Sequence, residues 1–210
     1  MLDDILRYAR AGEESRQRAN ELLARAKSVC PPRHVLRVMK LDWSADQPSL
    51  GGVMLPGRLA HTMLRGCERA AILVCTLGYG FEREAQALRY RDAADLLLFD
   101  AAGSALVEQG CDQAEEELAR QMAPLCLTDR FSPGYGDLPL TLQHDLLRLT
   151  DARARLGVIA HESAMLSPQK TVTALIGLAD SPRPARIRGC AYCRLREHCP
   201  YRSRGETCSL

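Results

Sequence analysis

Two stretches of this 210-residue chain hold side chains whose types and spacing can do chemistry. The first is Cys190-x2-Cys193-x5-Cys199-x8-Cys208, which places four thiols within the last 21 residues. Thiolates this close in sequence suit a soft metal, and a tail too short for a core of its own would draw its folding energy from the metal. Tetrahedral zinc bound by four sulfurs fits the count. A 4Fe-4S cluster fits equally, with Pro200 directly after Cys199 as in many cluster loops. The other five cysteines (Cys30, Cys67, Cys75, Cys111, Cys126) are scattered among apolar neighbours and read as small hydrophobes. Nine cysteines, an odd number, point to free thiols plus a metal site in a reducing compartment rather than to a disulfide framework.

The second stretch is Arg130-Phe131-Ser132-Pro133-Gly134-Tyr135-Gly136-Asp137-Leu138-Pro139. Its prolines and glycines fix the backbone at low entropy cost and display Arg130, Tyr135 and Asp137 together. A guanidinium matches a carboxylate, an aromatic face takes a planar or cationic group, and free peptide groups accept hydrogen bonds. A ligand clamp and a plain surface turn are both consistent with this composition. Ala101-Ala102-Gly103-Ser104-Ala105 is unusually small-sided, which admits either a flat ligand or a tightly crossing helix. His61 and His161 read as ordinary surface or core histidines. Gly78-Tyr79-Gly80 lacks the Gly-x-Gly-x-x-Gly pattern of a dinucleotide site and reads as a strand-to-helix turn.

The elements that must position these residues alternate between helix and strand. Residues 1–30 read as helical, ended by Pro31-Pro32, and Val35 to Leu41 alternates as a strand does. Pro56 to Cys67 is expected to be helical, and Ala70 to Leu77 a buried strand. Phe81 to Met122 is helix-compatible, with interruptions expected at Gly103 and Gly110. Thr141 is positioned to cap a helix running to Gly157, followed by strands at Val158–Ser163 and Thr171–Leu178. This order predicts an α+β domain with a largely antiparallel sheet packed with helices. The expected organisation is an N-terminal helical segment (1–32), a main domain (33–180) and a short basic Cys-rich metal-binding tail (181–210). Asp180-Ser181-Pro182-Arg183-Pro184 marks the last boundary.

Composition excludes several classes. The chain is 46% hydrophobic and 26% charged with net charge +2, which rules out disorder and collagen-like repetition. The longest apolar runs, Ala70–Leu77 and Ala93–Phe99, are shorter than the roughly 20 residues of a bilayer crossing, and the acidic start Met1-Leu2-Asp3-Asp4 is unlike a secretory signal. A cytoplasmic protein without a membrane partner is expected. The tail carries seven arginines against Glu197 and Glu206, a rim suited to an acidic partner domain or electron donor. Arginine interleaved with Tyr192 and Tyr201 also suits nucleic acid, but the low overall charge argues against a nucleic-acid partner.

Arg130-x-x-Pro133-Gly134-Tyr135, then a helix, then Gly157-Val158-Ile159-Ala160-His161-Glu162-Ser163, then Pro168-x-x-Thr171-Val172, resembles the activation (reactivation) domain of cobalamin-dependent methionine synthase. The upstream blocks Thr76-Leu77-Gly78 and Asp100-Ala101-Ala102-Gly103-Ser104 look like its stand-alone form, and the resemblance spans residues 35 to 180. It implies binding of S-adenosylmethionine and reductive methylation of cob(II)alamin, in which one electron and one methyl group restore methylcobalamin. That is orientation work, requiring no general acid or base. Carried over residue by residue, Arg130 meets the carboxylate of the methionine part and the backbone at Ser132, Pro133 and Gly134 contacts the nucleoside. Tyr135 lies beside ligand and corrin, and Glu108 takes the amino group or ribose. Glu162 either steadies the loop or caps a turn. Gly136-Asp137 departs from the family's usual continuation. No catalytic residue is expected.

The sequence contains no Asp-x-His-x-x-Gly corrinoid-ligand motif, so the resemblance implies cobalamin held by a partner. That partner would be a cobalamin-binding methionine synthase or corrinoid methyltransferase chain in methionine biosynthesis, served by an electron donor protein. An iron–sulfur tail would supply an internal relay. The alternative is a non-enzymatic adaptor that docks on a corrinoid protein through a zinc-stapled tail.

Overall fold

A near-continuous apolar run such as Arg69–Thr76 suits a strand buried on both faces. In the computed structural model, which describes residues 1–44, 46–182, 197–199 and 202–205, this strand is central. In chain order the elements begin with α1 (Leu2–Ala9), α2 (Arg16–Val29), β1 (Arg33–Asp42), β2 (Ser49–Leu50), β3 (Val53–Met54), α3 (Arg58–Leu64) and β4 (Arg69–Thr76). They continue with α4 (Tyr79–Arg89), α5 (Ala93–Met122), β5 (Cys126–Leu127), α6 (Leu142–Thr150), α7 (Ala152–Leu156), β6 (Ile159–Ala160), β7 (Leu166–Ser167) and β8 (Thr171–Ala179). Six strands form an antiparallel sheet in the order β3-β2-β1-β4-β8-β5, and β6 and β7 form a separate hairpin. The fold class is the expected α+β.

Alternation along β4 and β8 assigns the two faces. Ala71, Leu73, Cys75, Ala174, Ile176 and Leu178 face a core built with α1, α2, α4 and α5. Ala70, Ile72 and Leu175 face a second core containing α3 and α6, and Val74 joins a third cluster with α7. The N-terminal helices share the first of these cores. Arg18 of α2 grips Asp95 of α5 through Nε at 2.8 Å and through a second bond from Nη2.

Several local expectations change. The first 30 residues are two helices, because α1 closes at Arg10 with φ 52° and a 3-10 turn at Glu13–Ser15 precedes α2. The long helical stretch breaks at Tyr90–Asp92, where the Asp92 side chain accepts from Ala94 N at 2.8 Å and starts α5. Gly103 and Gly110 do not interrupt α5. A Cβ on Gly103 would sit 2.2 Å from Cζ of Phe81, so the small stripe admits the Phe81 ring, which stacks on Phe99 at 4.6 Å. The helix expected to reach Gly157 divides at Asp151, φ 53°, into α6 and α7. The strand expected over Val158–Ser163 is reduced to β6, outside the main sheet. Among the described residues no helix is long and apolar enough to cross a membrane.

Candidate functional site

Glu108, Asp112 and Glu115 are spaced i, i+4, i+7 on α5, which puts their carboxylates on one helix face. Opposite them stands Arg130. Its placement follows from the segment after β5, which runs along the outer edge of β8. Thr128 N donates to Gly177 O at 2.9 Å, and Phe131 and Leu175 exchange bonds of 3.0 and 2.8 Å. Phe131 enters the core, so Arg130, one residue earlier, projects to the α5 side. Its guanidinium pairs with Glu108 at 2.6 Å, Asp112 at 2.7 Å and Glu115, with the arginine side chain 12% exposed. Burial works against the charge, but the hydrogen bonds Arg130 donates to Glu115 and Asp112 outweigh it and hold Arg130 above its ordinary pKa. Three carboxylates around one guanidinium leave the site with two surplus negative charges.

Glu108 and Arg130 are thus brought together as direct partners. Asp112 and Glu115 were missed in the sequence, although their helical spacing from Glu108 was readable there.

Beyond Phe131 the chain leaves the sheet as a tight loop. Tyr135 N donates to Ser132 O at 3.1 Å, and Gly134 N donates to Leu138 O at 2.9 Å. Gly134 has φ 91°, a backbone conformation that favours glycine. The carbonyls of Pro133 and Gly134 accept no hydrogen bond from a described residue. The Tyr135 ring is 57% exposed. Asp137 anchors the loop from its far end. Its carboxylate accepts from Arg58 N at 2.7 Å and Leu59 N at 3.0 Å, capping α3, whose own N-cap residue is Gly57. Those bonds, Leu59 first and then Arg58, hold the Asp137 carboxyl below its ordinary value.

Glu162 lies elsewhere. It is exposed in the turn of the β6–β7 hairpin and makes no hydrogen bond or ion pair with a described residue. The other motif blocks form a separate scaffold at one end of β4 and β8. Lys170 Nζ bonds Asp100 Oδ1 and Ser104 Oγ, each at 2.9 Å. Leu77 N donates to Lys170 O at 3.0 Å, and the Thr76 and Thr171 hydroxyls meet at 2.7 Å. Asp100, Ser104 and Glu108 succeed one another at i+4 steps, so α5 is tied first by Lys170 and then by Arg130.

Four of the scattered cysteines, Cys30, Cys67, Cys75 and Cys111, are buried. A hydrogen bond with Cys75, then burial, pushes the Cys111 thiol up, and burial does the same to Cys30. Of the tail cysteines, Cys190, Cys193 and Cys208 lie outside the described residues. Cys199 is buried and its carbonyl accepts from Ser203 N at 3.1 Å. Among the described residues no three His, Cys, Asp or Glu side chains are grouped to hold a metal ion.

No family model matches the chain, and no curated protein matches it. Among solved structures it is similar to the crystal structure of the MetH reactivation domain bound to AdoHcy, with a TM-score of 0.57 and 13% sequence identity. The match covers 94% of this chain and 76% of that one. At this identity the likeness is one of architecture: the chain has a reactivation-domain-like fold.

Proposed function

We propose that the chain binds S-adenosylmethionine and serves as a stand-alone reactivation component for a cobalamin-dependent methionine synthase or related corrinoid methyltransferase carried on a partner chain. The observation that supports this most directly is the junction of Arg130, Glu108 and the Pro133–Tyr135 loop, on a fold shared with a reactivation domain that was crystallised with AdoHcy.

The residues present fit such a ligand. S-Adenosylmethionine carries a sulfonium and an ammonium cation, and the acidic surplus on α5 suits both. The carbonyls of Pro133 and Gly134, which accept from no described residue, can take an exocyclic amine or a ribose hydroxyl, and the exposed Tyr135 ring offers a stacking face. When bound, the ligand supplies a transferable methyl on sulfur. The protein's task is to hold that methyl toward a partner, which is proximity and orientation work. Arg130, locked by three carboxylates, keeps the α5 face and the loop in one register. Asp137 fixes the same loop to α3.

Titration calorimetry with S-adenosylmethionine tests the binding. Arg130→Ala should abolish the heat while the circular dichroism spectrum stays native-like. Mixing the chain with a corrinoid protein in its cob(II) form, a reductant and S-adenosylmethionine should convert the cobalt spectrum to the methylated form. Absence of that conversion with every corrinoid partner supplied would overturn the reactivation role.

The four tail cysteines are proposed to hold a metal, with an iron–sulfur cluster favoured because reactivation consumes an electron. Iron and zinc analysis after anaerobic purification decides between them, and stoichiometric zinc without visible absorbance would end the relay idea. One observation favours the adaptor reading: three of the five guanidinium N–H donors of Arg130 are already engaged within the protein. Calorimetry separates the two, since an adaptor gives no heat with millimolar ligand even when the corrinoid partner is present.

A further inference from the structure

The sheet is not closed on its β1 side. β2 pairs with β1 only at Leu41 and Asp42, so among the described residues Arg33 to Lys40 have no strand neighbour on the side away from β4. The register shows which backbone groups this exposes. Leu41 N donates to Glu68 O of the β4 side at 2.9 Å, so odd-numbered residues of β1 turn their peptide groups toward β4 and even-numbered ones turn theirs outward. The outward set is His34, Leu36, Val38 and Lys40. Among the described residues none of their N–H or C=O groups has a partner on that outer side.

A cleft of about 270 Å³ opens along this edge, lined by Val35, Leu36, Arg37, Thr150, Asp151 and Arg155. Side chains of three consecutive strand residues point alternately to opposite faces, so a cleft touching all three runs past the strand's edge backbone. The charge around it is one-sided. Arg33, Arg37, Lys40 and Arg155 form no ion pair with a described residue, and Asp151 is the single acidic side chain in the lining. His34 is already engaged by Glu117 at 3.1 Å. Arg33 and Arg37 donate to the carbonyls of Leu156 and Leu149, which holds their cationic heads beside the edge.

We propose that the outer edge of β1 is a docking slot for an extended, acidic segment of a partner protein, which adds to the sheet as a further strand. Backbone pairing would give affinity and the arginine and lysine side chains would select the charge. The same cations disfavour a second copy of this edge, which would set like charges opposite one another. They equally disfavour the chain's own tail, with its seven arginines. The slot lies on the opposite flank of the sheet from Arg130, with β4 and β8 between them, so it stands or falls independently of the ligand site.

The test uses the full chain with a fluorescein-labelled (Glu-Val)5 peptide, and (Lys-Val)5 as its charge-reversed control, in low salt. The acidic peptide should raise anisotropy and slow amide exchange at His34, Leu36, Val38 and Lys40, and the lysine peptide should do neither. Arg155→Glu, an exposed change on α7, should weaken binding roughly fivefold, and about 0.5 M salt should do at least as much. Equal binding of both peptides, no binding of the acidic one at millimolar concentration, or protection confined to other segments would overturn the proposal. So would concentration-dependent protection of the same four amides without peptide, which would assign the edge to a second copy.

Discussion

Arg130 illustrates how much one side chain's neighbours decide. In the sequence it is a cation in a turn, and in the fold it is the hub of three carboxylates from one helix. Replacing it with methionine should leave Glu108, Asp112 and Glu115 repelling one another. Because two of these carboxylates are at least half exposed, solvent screening limits the cost to about 1–2 kcal/mol, read as a lower urea midpoint. Glu115→Gln alone should cost less and retain ligand binding, since Glu108 and Asp112 still hold the guanidinium. Asp137 gives a prediction with a pH sign. Its folded pKa lies below the ordinary 3.8, so its contribution is present above that value and is lost as pH falls through the folded one. Asp137→Ala should remove this acid-side dependence and cost about 1 kcal/mol at neutral pH, the usual effect of losing an N-cap. The loop carrying Tyr135 should then exchange its amides faster.

At the scale of elements, α5 is the spine. It packs against β4, receives Arg18 from α2 at Asp95, Lys170 from just before β8 at Asp100, and Arg130 at its acidic stripe. Its glycines are packing residues, and the Gly103→Ala variant should show it. The added methyl would lie 2.2 Å from the Phe81 ring, forcing α4 away from α5 at a cost of about 1–3 kcal/mol despite alanine's better helix propensity. A thermal melt that rises in this variant would contradict the packing assignment. The Asp95–Arg18 pair adds a second acid-labile tie. Hydrogen bonding from Arg18 holds Asp95 below 3.8, so Asp95→Asn should loosen α2 from α5 above that pH and make little difference well below it.

For the whole molecule, the sheet separates the two proposed sites to opposite flanks: the Arg130 loop along β8, and the outer edge of β1. Among the described residues, the three buried apolar clusters draw their members from Ile5 to Ala179. The proposed metal tail follows the boundary read at Asp180–Pro184. Stripping metal with a chelator should bleach or release whatever the tail cysteines hold while leaving the far-ultraviolet spectrum and the main unfolding transition in place. A chelator that unfolds the whole chain would show that the tail is part of the core.

The amino-acid pattern by itself determined the α+β class, the central strand at β4, the long β8 and the burial of four of the five scattered cysteines, and it singled out the Arg130–Tyr135 turn. Those features depend on local composition: a run of buried apolar residues, isolated thiols among hydrophobes, a turn rich in proline and glycine. Tertiary structure alone decided the partners of that loop and the limits of the smaller elements. Nothing near Asp137 reveals that it caps a helix 79 residues earlier, and nothing near Glu162 places it away from Arg130 on a separate hairpin. Asp151 and Tyr90 break their helices where packing turns the chain, at positions without glycine or proline. The open edge of β1 was equally invisible, because a strand's alternation shows which side chains are buried but not which neighbour, if any, pairs with its backbone.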